Sequence, residues 1–318
     1  MLKRQGVFME NRANLIIKEV QKAVVGKSNV IQLVLCAILS RGHVLLEDVP
    51  GVGKTTLALA FSKALALDYG RVQFTPDVLP SDIVGFSIYN KETQRMEYKS
   101  GAVLCNLFLA DELNRATSRT QSALLEAMEE NQITVDGNSY RLPRPFVVIA
   151  TQNPVGASGT QLLPDSQMDR FMVRISLGYP SPQYELQLLE RKQAGNMLDS
   201  VQRVLSHEEL LEMMNNVDKV YIHNAIFQYI VNLSNVTRSH ASILQGASPR
   251  ASLAIVSMAK AAAWLSGRDY VLPIDVSSVF PYTITHRLIL TPEAEAGSVS
   301  PLSVVNSILK SVAPPNVK

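Results

Sequence analysis

The run Pro50-Gly51-Val52-Gly53-Lys54-Thr55 constrains this chain more than any other feature. It follows a short apolar stretch at 43–47 and opens a helical pattern at 55–66, with Leu57, Ala58, Phe61 and Leu65 on one face. Strand, glycine loop and helix in that order make a phosphate cradle. Glycines let the backbone wrap an anion closely, and the helix N-terminus adds partial positive charge. Lys54 reaches the outer phosphates, and the Thr55 hydroxyl is a magnesium ligand. The candidate nucleotide-binding set is Pro50, Gly51, Val52, Gly53, Lys54, Thr55 and Thr56, and the expected cofactors are ATP and Mg2+. The full G-x-x-x-x-G-K-[ST] spacing asks for glycine where this chain has Asp48. Aspartate reaches unusual backbone angles at modest cost, so the loop can form provided the carboxylate points away from the nucleotide.

Such a loop needs a sheet behind it. Residues 71–74, 104–110, 146–151 and 171–177 are largely continuous apolar runs, as expected for strands covered on both faces. Helical segments separate several of them, which argues for an α/β fold with a mostly parallel sheet. Two hairpins interrupt the alternation. One pairs 86–89 with 96–99, and the other pairs 133–135 with 139–141 around the tight-turn sequence Asp136-Gly137-Asn138. The apolar run at 104–110 ends in Asp111 and Glu112. Beside a phosphate loop, this pair assigns Asp111 to magnesium through water and Glu112 to polarising the attacking water. The strand at 146–151 puts Asn153 at the same sheet edge, where its amide can orient that water.

Beyond the proline pair Pro180 and Pro182 the pattern changes to helices alone, at 184–193, 207–217, 222–236, 248–266 and 302–311. This predicts two domains, an α/β nucleotide-binding core with N-terminal helices over 1–180 and a helical lid over 181–318. Trp264 and the alanines at 259 and 261–263 suit a lid helix core, as do Met213, Met214 and Met258; His286-Arg287 is expected at a helix end. Thirty basic and 28 acidic residues nearly cancel, so no strong field attracts nucleic acid or anionic lipid. Cys36 and Cys105 lie inside apolar runs and read as buried thiols of a reducing cytoplasm. Lys3 and Arg4 lead into Gln5 and Glu10 instead of an apolar core, so no signal peptide is expected, and no apolar stretch reaches the roughly 18 residues that a membrane span requires. The five histidines show no metal-ligand spacing. Asn90-Lys91-Glu92 imitates part of a guanine-reading tetrad but lacks its aspartate, so a GTPase is disfavoured.

Several segments together resemble the MoxR family of AAA+ ATPases, from about residue 17 to about residue 290. They are VVG (24–26), LLEDVPGVGKT (45–55), FTPDVLPSDIVG (74–85), FLADELNRA (108–116), LLEAMEE (124–130), ATQNP (150–154), LLPDSQMDRF (162–171) and GASPRA (246–251). In that group Asp48 looks like a frequent choice. The resemblance implies a five-stranded AAA+ core, a hairpin inserted at 84–102, and a helical lid beginning near Pro180. It implies a homo-oligomer, usually a hexameric ring, with nucleotide at subunit interfaces and Val24, Val25 and Gly26 near the adenine. Arg170 looks like the arginine finger that reaches a neighbour's γ-phosphate, and Arg250 like the second sensor arginine, in the same subunit or the next. Without the resemblance each reads as a surface arginine, capping a helix or pairing with Asp169 or another acid. Arg115 is a further candidate for an interface contact. The implied activity is chaperone-like remodelling or activation of a client protein, often one with a von Willebrand A-type domain. A metal-chelatase subunit, or a nucleic-acid or transcription-associated motor, shares these catalytic residues and stays open as an alternative.

Overall fold

The computed structural model describes residues 2–153, 163–193 and 195–317, with side chains from residue 12 onward except Lys192. Pro154 and Leu162 of the motifs above lie outside the described residues. Helices α1 (Leu2–Ala23) and α2 (Ser28–Leu39) precede strand β1 (Val44–Glu47) and helix α3 (Lys54–Ala64). Next come β2 (Tyr69–Gln73), α4 (Pro80–Val84) and the hairpin β3 (Gly85–Asn90) and β4 (Arg95–Ser100). Strand β5 (Leu107–Asp111) leads to α5 (Ser118–Glu130) and a second hairpin, β6 (Gln132–Val135) and β7 (Asn138–Arg141). Strand β8 (Val147–Gln152), the short helix α6 (Asp165–Met168) and β9 (Val173–Ile175) complete the α/β part.

The sheet has five strands in the order β2-β5-β8-β1-β9, all parallel. Its apolar runs are continuous because alternate side chains enter two separate cores. Val44 and Leu46 of β1 and Leu107 and Leu109 of β5 pack with α1, α2 and α3, while Leu45, Phe108 and Ala110 face α5 and the second hairpin. The expectation that 71–74 is covered on both faces is corrected. β2 lies at the sheet edge, and Arg71 and Gln73 are exposed between half-buried Val72 and buried Phe74. That polar alternation belongs to a strand covered on one face. In the second hairpin, Asp136 and Gly137 have φ of 49° and 79°, the double left-handed turn that Asp-Gly favours.

The C-terminal part begins with α7 (Pro182–Gln193), α8 (His207–Asp218) and α9 (Asn224–Ser239). Strand β10 (Ile243–Gln245), helices α10 (Pro249–Leu265) and α11 (Pro273–Ile284), strand β11 (Ile289–Leu290), and helices α12 (Pro292–Ala296) and α13 (Pro301–Ser311) follow. Several starts are written in the sequence. Ser206 with Glu209 closes a capping box on α8, and Ser248, Thr291 and Ser300 each cap a helix whose first residue is proline. Helices alone is nonetheless a correction, since β10 and β11 pair antiparallel, too short to show a period of two. Helix α11 escapes the pattern because Pro281 sits in its interior, where it removes a donor. Burial of Val276, Val279, Phe280 and Ile284 outweighs that loss.

Cys36 and Cys105 are buried, and burial pushes each thiol up to about 12. Among the described residues no helix is long and apolar enough to cross a membrane, and no His, Cys, Asp and Glu side chains gather as a metal centre. His43, just before β1, accepts from the Val148 amide at Nδ1 and donates from Nε2 to the Met128 carbonyl, which ties the end of α5 to the sheet. Desolvation holds its pKa down to about 4, against the weaker upward pull of the Met128 carbonyl. A depressed folded pKa means the stabilisation is complete above pH 6.5 and fades as pH falls toward 4, because only the unfolded chain takes up the proton in between. His43 alone therefore predicts a loss of about 2 kcal/mol between pH 7 and pH 5. Urea melts at the two pH values check it, and His43→Gln should flatten the slope.

Candidate active site

Strands β1, β5 and β8 are parallel neighbours, so their C-terminal ends bring three loops to one edge. After β1 the chain turns through Gly51 and Gly53, with φ of 87° and 98°, into α3. Among the described residues no other side chain is within reach of a Cβ built on either glycine, so the space in front of the loop, like its backbone angles, suits a close-fitting anion. Lys54 is 7% exposed. Its Nζ donates to the Asp48 carbonyl at 2.6 Å, to the Asn153 Oδ1 at 3.3 Å and to the Gln152 carbonyl at 3.5 Å. Burial lowers its pKa, while the charges of Asp48, Asp111, Glu112 and Glu47 pull the other way. None of these carboxylates forms an ion pair with it, which leaves a buried cation held by neutral oxygens beside an empty-fronted loop. This donor set fits a polyphosphate.

Asp48 keeps out of the left-handed region and turns its carboxylate from the loop toward the end of β9. It accepts from the Leu177 amide, from the Gly178 amide at 3.2 Å and from the Ser176 hydroxyl at 3.0 Å. The expected direction holds, but the reason is a bond set on the approach to the lid and no unusual backbone angle is involved.

Asp111 ends β5 and is 8% exposed. Its Oδ1 accepts from the Thr151 hydroxyl at 2.7 Å, and its Oδ2 from Arg71 Nη2 at 2.8 Å. Glu112 follows with φ 56° and ψ 46°, a left-handed conformation that costs a non-glycine residue about 1 kcal/mol. Its amide donates to the Thr151 hydroxyl oxygen at 2.8 Å, which holds the bend. The carboxylate accepts from Asn153 Nδ2 at 3.2 Å and from Arg115 Nη1 at 2.7 Å. Arg115 thus pairs within its own chain. Asn153 bridges the other two motifs, with its oxygen on Lys54 and its nitrogen on Glu112.

Beside the loop lies a cavity of about 710 Å³. Gly51, Val52, Gly53 and Thr56 line one side, Val24 and Val25 a second, and Leu188, Leu189 and Met197 a third. This largely apolar chamber next to a phosphate cradle has the shape and chemistry to take a purine ring. Gly26 backs the wall: its φ is 73°, and a Cβ there would run into the Tyr184 ring of α7.

Arg170 and Arg250 lie elsewhere. Arg170 lies three residues before β9, and the Met172 amide donates to the His43 carbonyl just before β1, so both mark the N-terminal sheet edge. Arg170 donates to the Leu125 carbonyl at 2.8 Å and pairs with Glu129 at 3.1 Å. Arg250 reaches the same Glu129 at 2.6 Å. The acid beside Arg170 in sequence, Asp169, pairs instead with Arg287 at 2.7 Å. The chain's own phosphate loop lies at the opposite sheet edge from both arginines.

Known proteins resemble this chain over most of its length. Residues 43–173 match the ATPase family associated with various cellular activities (AAA), and residues 235–308 match the AAA lid domain. The chain is 40% identical over 310 residues to Chaperone MoxR1 of Mycobacterium tuberculosis (strain ATCC 25618 / H37Rv), covering 95% of this chain and 82% of that protein. This chain belongs to the MoxR family of AAA+ ATPases. It is also 44% identical over 299 residues, 94% of this chain and 93% of the relative, to the uncharacterised protein YeaC of Bacillus subtilis (strain 168). A crystal structure of a candidate ATPase from Cytophaga hutchinsonii superposes with a TM-score of 0.92 at 40% identity, covering 99% of this chain and 98% of that one.

The MoxR-family site also contains residues that motif reading passed over. Arg71 is an ordinary polar residue of an edge strand until the parallel register sets it near Asp111. Thr151 belongs to the ATQNP run, yet only the paired strand ends show its hydroxyl serving two consecutive residues. Glu129 and Arg287 gain meaning only once α5, the lid and the start of β9 converge.

Proposed function

We propose that this chain is the ATP-hydrolysing subunit of a hexameric ring that remodels or activates a partner protein, one carrying a von Willebrand A-type domain. The observation that carries the ATPase part is the Asn153 bridge, which joins Lys54 of the glycine loop to Glu112 after β5. Lys54 leaves its carbonyl partners for the outer phosphates, and the glycine-loop amides hold the inner ones. Thr55 and Asp111 would hold magnesium, which would supply charge neutralisation on the phosphates. Glu112 takes the proton of the attacking water while Asn153 holds that water in line. Val24 and Val25 meet the base, and Gly26 leaves room for the Tyr184 ring behind them.

The separation of the two sheet edges supports a trans role for Arg170 and Arg250. In a head-to-tail ring the edge holding these arginines faces the next copy's nucleotide, where they stabilise charge as the phosphoryl bond breaks. Residues 1–180 form the core and 181–318 the lid in this reading. The strands of the β3–β4 hairpin carry exposed Phe86, Tyr89 and Met96, apolar surface suited to contacting a client, on either side of a polar turn at 90–95.

The test is nucleotide binding. Wild-type protein should bind a fluorescent ATP analogue with magnesium and assemble into a ring on sizing. Lys54→Ala, which removes two or more charge-assisted bonds to phosphate, should weaken binding by about a hundredfold or more. Absence of any ATP or ADP affinity in the wild type would overturn the proposal.

A further inference from the structure

Arg287 is 8% exposed and lies in a short turn, Thr285–Arg287, that follows α11. Its guanidinium is spread over the segment that carries Arg170. Nε donates to Asp169 Oδ1 at 2.7 Å, and Nη2 donates to the Asp169 carbonyl at 3.1 Å and to the Phe171 carbonyl at 2.8 Å. Nη1 donates back to the Thr283 carbonyl of α11 at 2.6 Å. His286, neutral through burial, adds a bond from Nε2 to the Phe171 carbonyl at 3.0 Å. The carbonyls on both sides of Arg170 are therefore pinned by one rigid plane, which restricts the backbone angles of Arg170 itself.

The same carboxylate reaches the other arginine. Asp169 accepts from the Ser248 hydroxyl at 3.3 Å, and that hydroxyl oxygen caps α10 by accepting from the Ala251 amide at 3.3 Å. Arg250 stands in the first turn of that helix, and both candidate arginines then meet on Glu129. A buried ion pair is weak support for stability, since apolar groups of similar volume often serve as well. A planar donor fork is nonetheless suited to fixing the relative placement of two loops.

We propose that Arg287 is a positioning residue, set in the lid and clamped on Asp169, that holds Arg170 and Arg250 for the nucleotide of the neighbouring copy. This rests on the trans reading given above. The consequence is that Arg287 serves the next subunit's hydrolysis and leaves its own subunit's nucleotide binding untouched.

The experiment uses the full chain with Arg287→Lys, which keeps the charge and loses the fork, and Asp169→Asn, which keeps the volume and loses the pair. Each is measured alone and mixed one to one with Lys54→Ala, alongside Arg170→Ala as control. Each variant should bind the fluorescent ATP analogue within a factor of about two of wild type and turn over about tenfold to a hundredfold more slowly. Mixing should restore activity at about a quarter of the interfaces, those that join an intact loop to an intact arginine pair. Wild-type turnover in both variants overturns the proposal, as does loss of analogue binding in both, which marks a purely structural role. Recovery with Arg170→Ala but not with the Arg287 or Asp169 variant also overturns it. Failure of the Arg170→Ala control to recover removes the trans reading first, and this inference with it.

Discussion

Replacing Arg170 by alanine is expected to cut ATP turnover by about a thousandfold or more while leaving ATP affinity nearly unchanged. An arginine that stabilises transferring phosphoryl charge typically contributes about 10³- to 10⁵-fold to the rate, or about 4–7 kcal/mol of barrier. Its present contacts, the Leu125 carbonyl and partly exposed Glu129, can exchange for water, so the folding cost should be about 1 kcal/mol or less. The variant is then folded and slow. Mixing it with Lys54→Ala recovers turnover only if the arginine works across an interface. Wild-type rates in the unmixed variant would rule out the finger role.

The second large effect is at Glu112. Glutamine in its place keeps the shape and the bond from Asn153 but cannot accept the water proton, so turnover should fall by about 10²- to 10⁴-fold. The glycine loop and Lys54 are untouched, and ATP should remain bound and intact. Arg115 loses its charged partner at the same time. A single-turnover assay with radiolabelled ATP separates binding from cleavage, and cleavage at the normal rate would remove Glu112 from the base role.

The fold was legible wherever one local pattern decided the outcome. The alternate side chains of β1, β5 and β8 enter two covered cores, so their apolar runs betrayed a buried parallel sheet. Asp136-Gly137 announced its hairpin through backbone angles that few other pairs adopt. Lys54, Asp111, Glu112 and Asn153 each stand at or after a strand end, and parallel strands deliver their ends to one edge, so their convergence is readable from the sequence. What stayed hidden depends on distant partners. Pro281 argued against a helix that burial of Phe280 and Ile284 nevertheless maintains. Arg71 and Arg287 carry no motif, and their roles arise from neighbours about 40 and 118 positions away.

The Asp48 carboxylate joins the first residue of the phosphate loop to the backbone at Leu177 and Gly178, where the chain leaves the sheet for the lid. Most loops of this kind begin with glycine and have no such side chain to offer. Here, in the proposed motor, a shift of the loop on gripping a phosphate would be passed to the joint through these charge-assisted bonds. One carboxylate thus ties the start of the cradle to the root of the lid, which would let the two act as one lever in the ring proposed above.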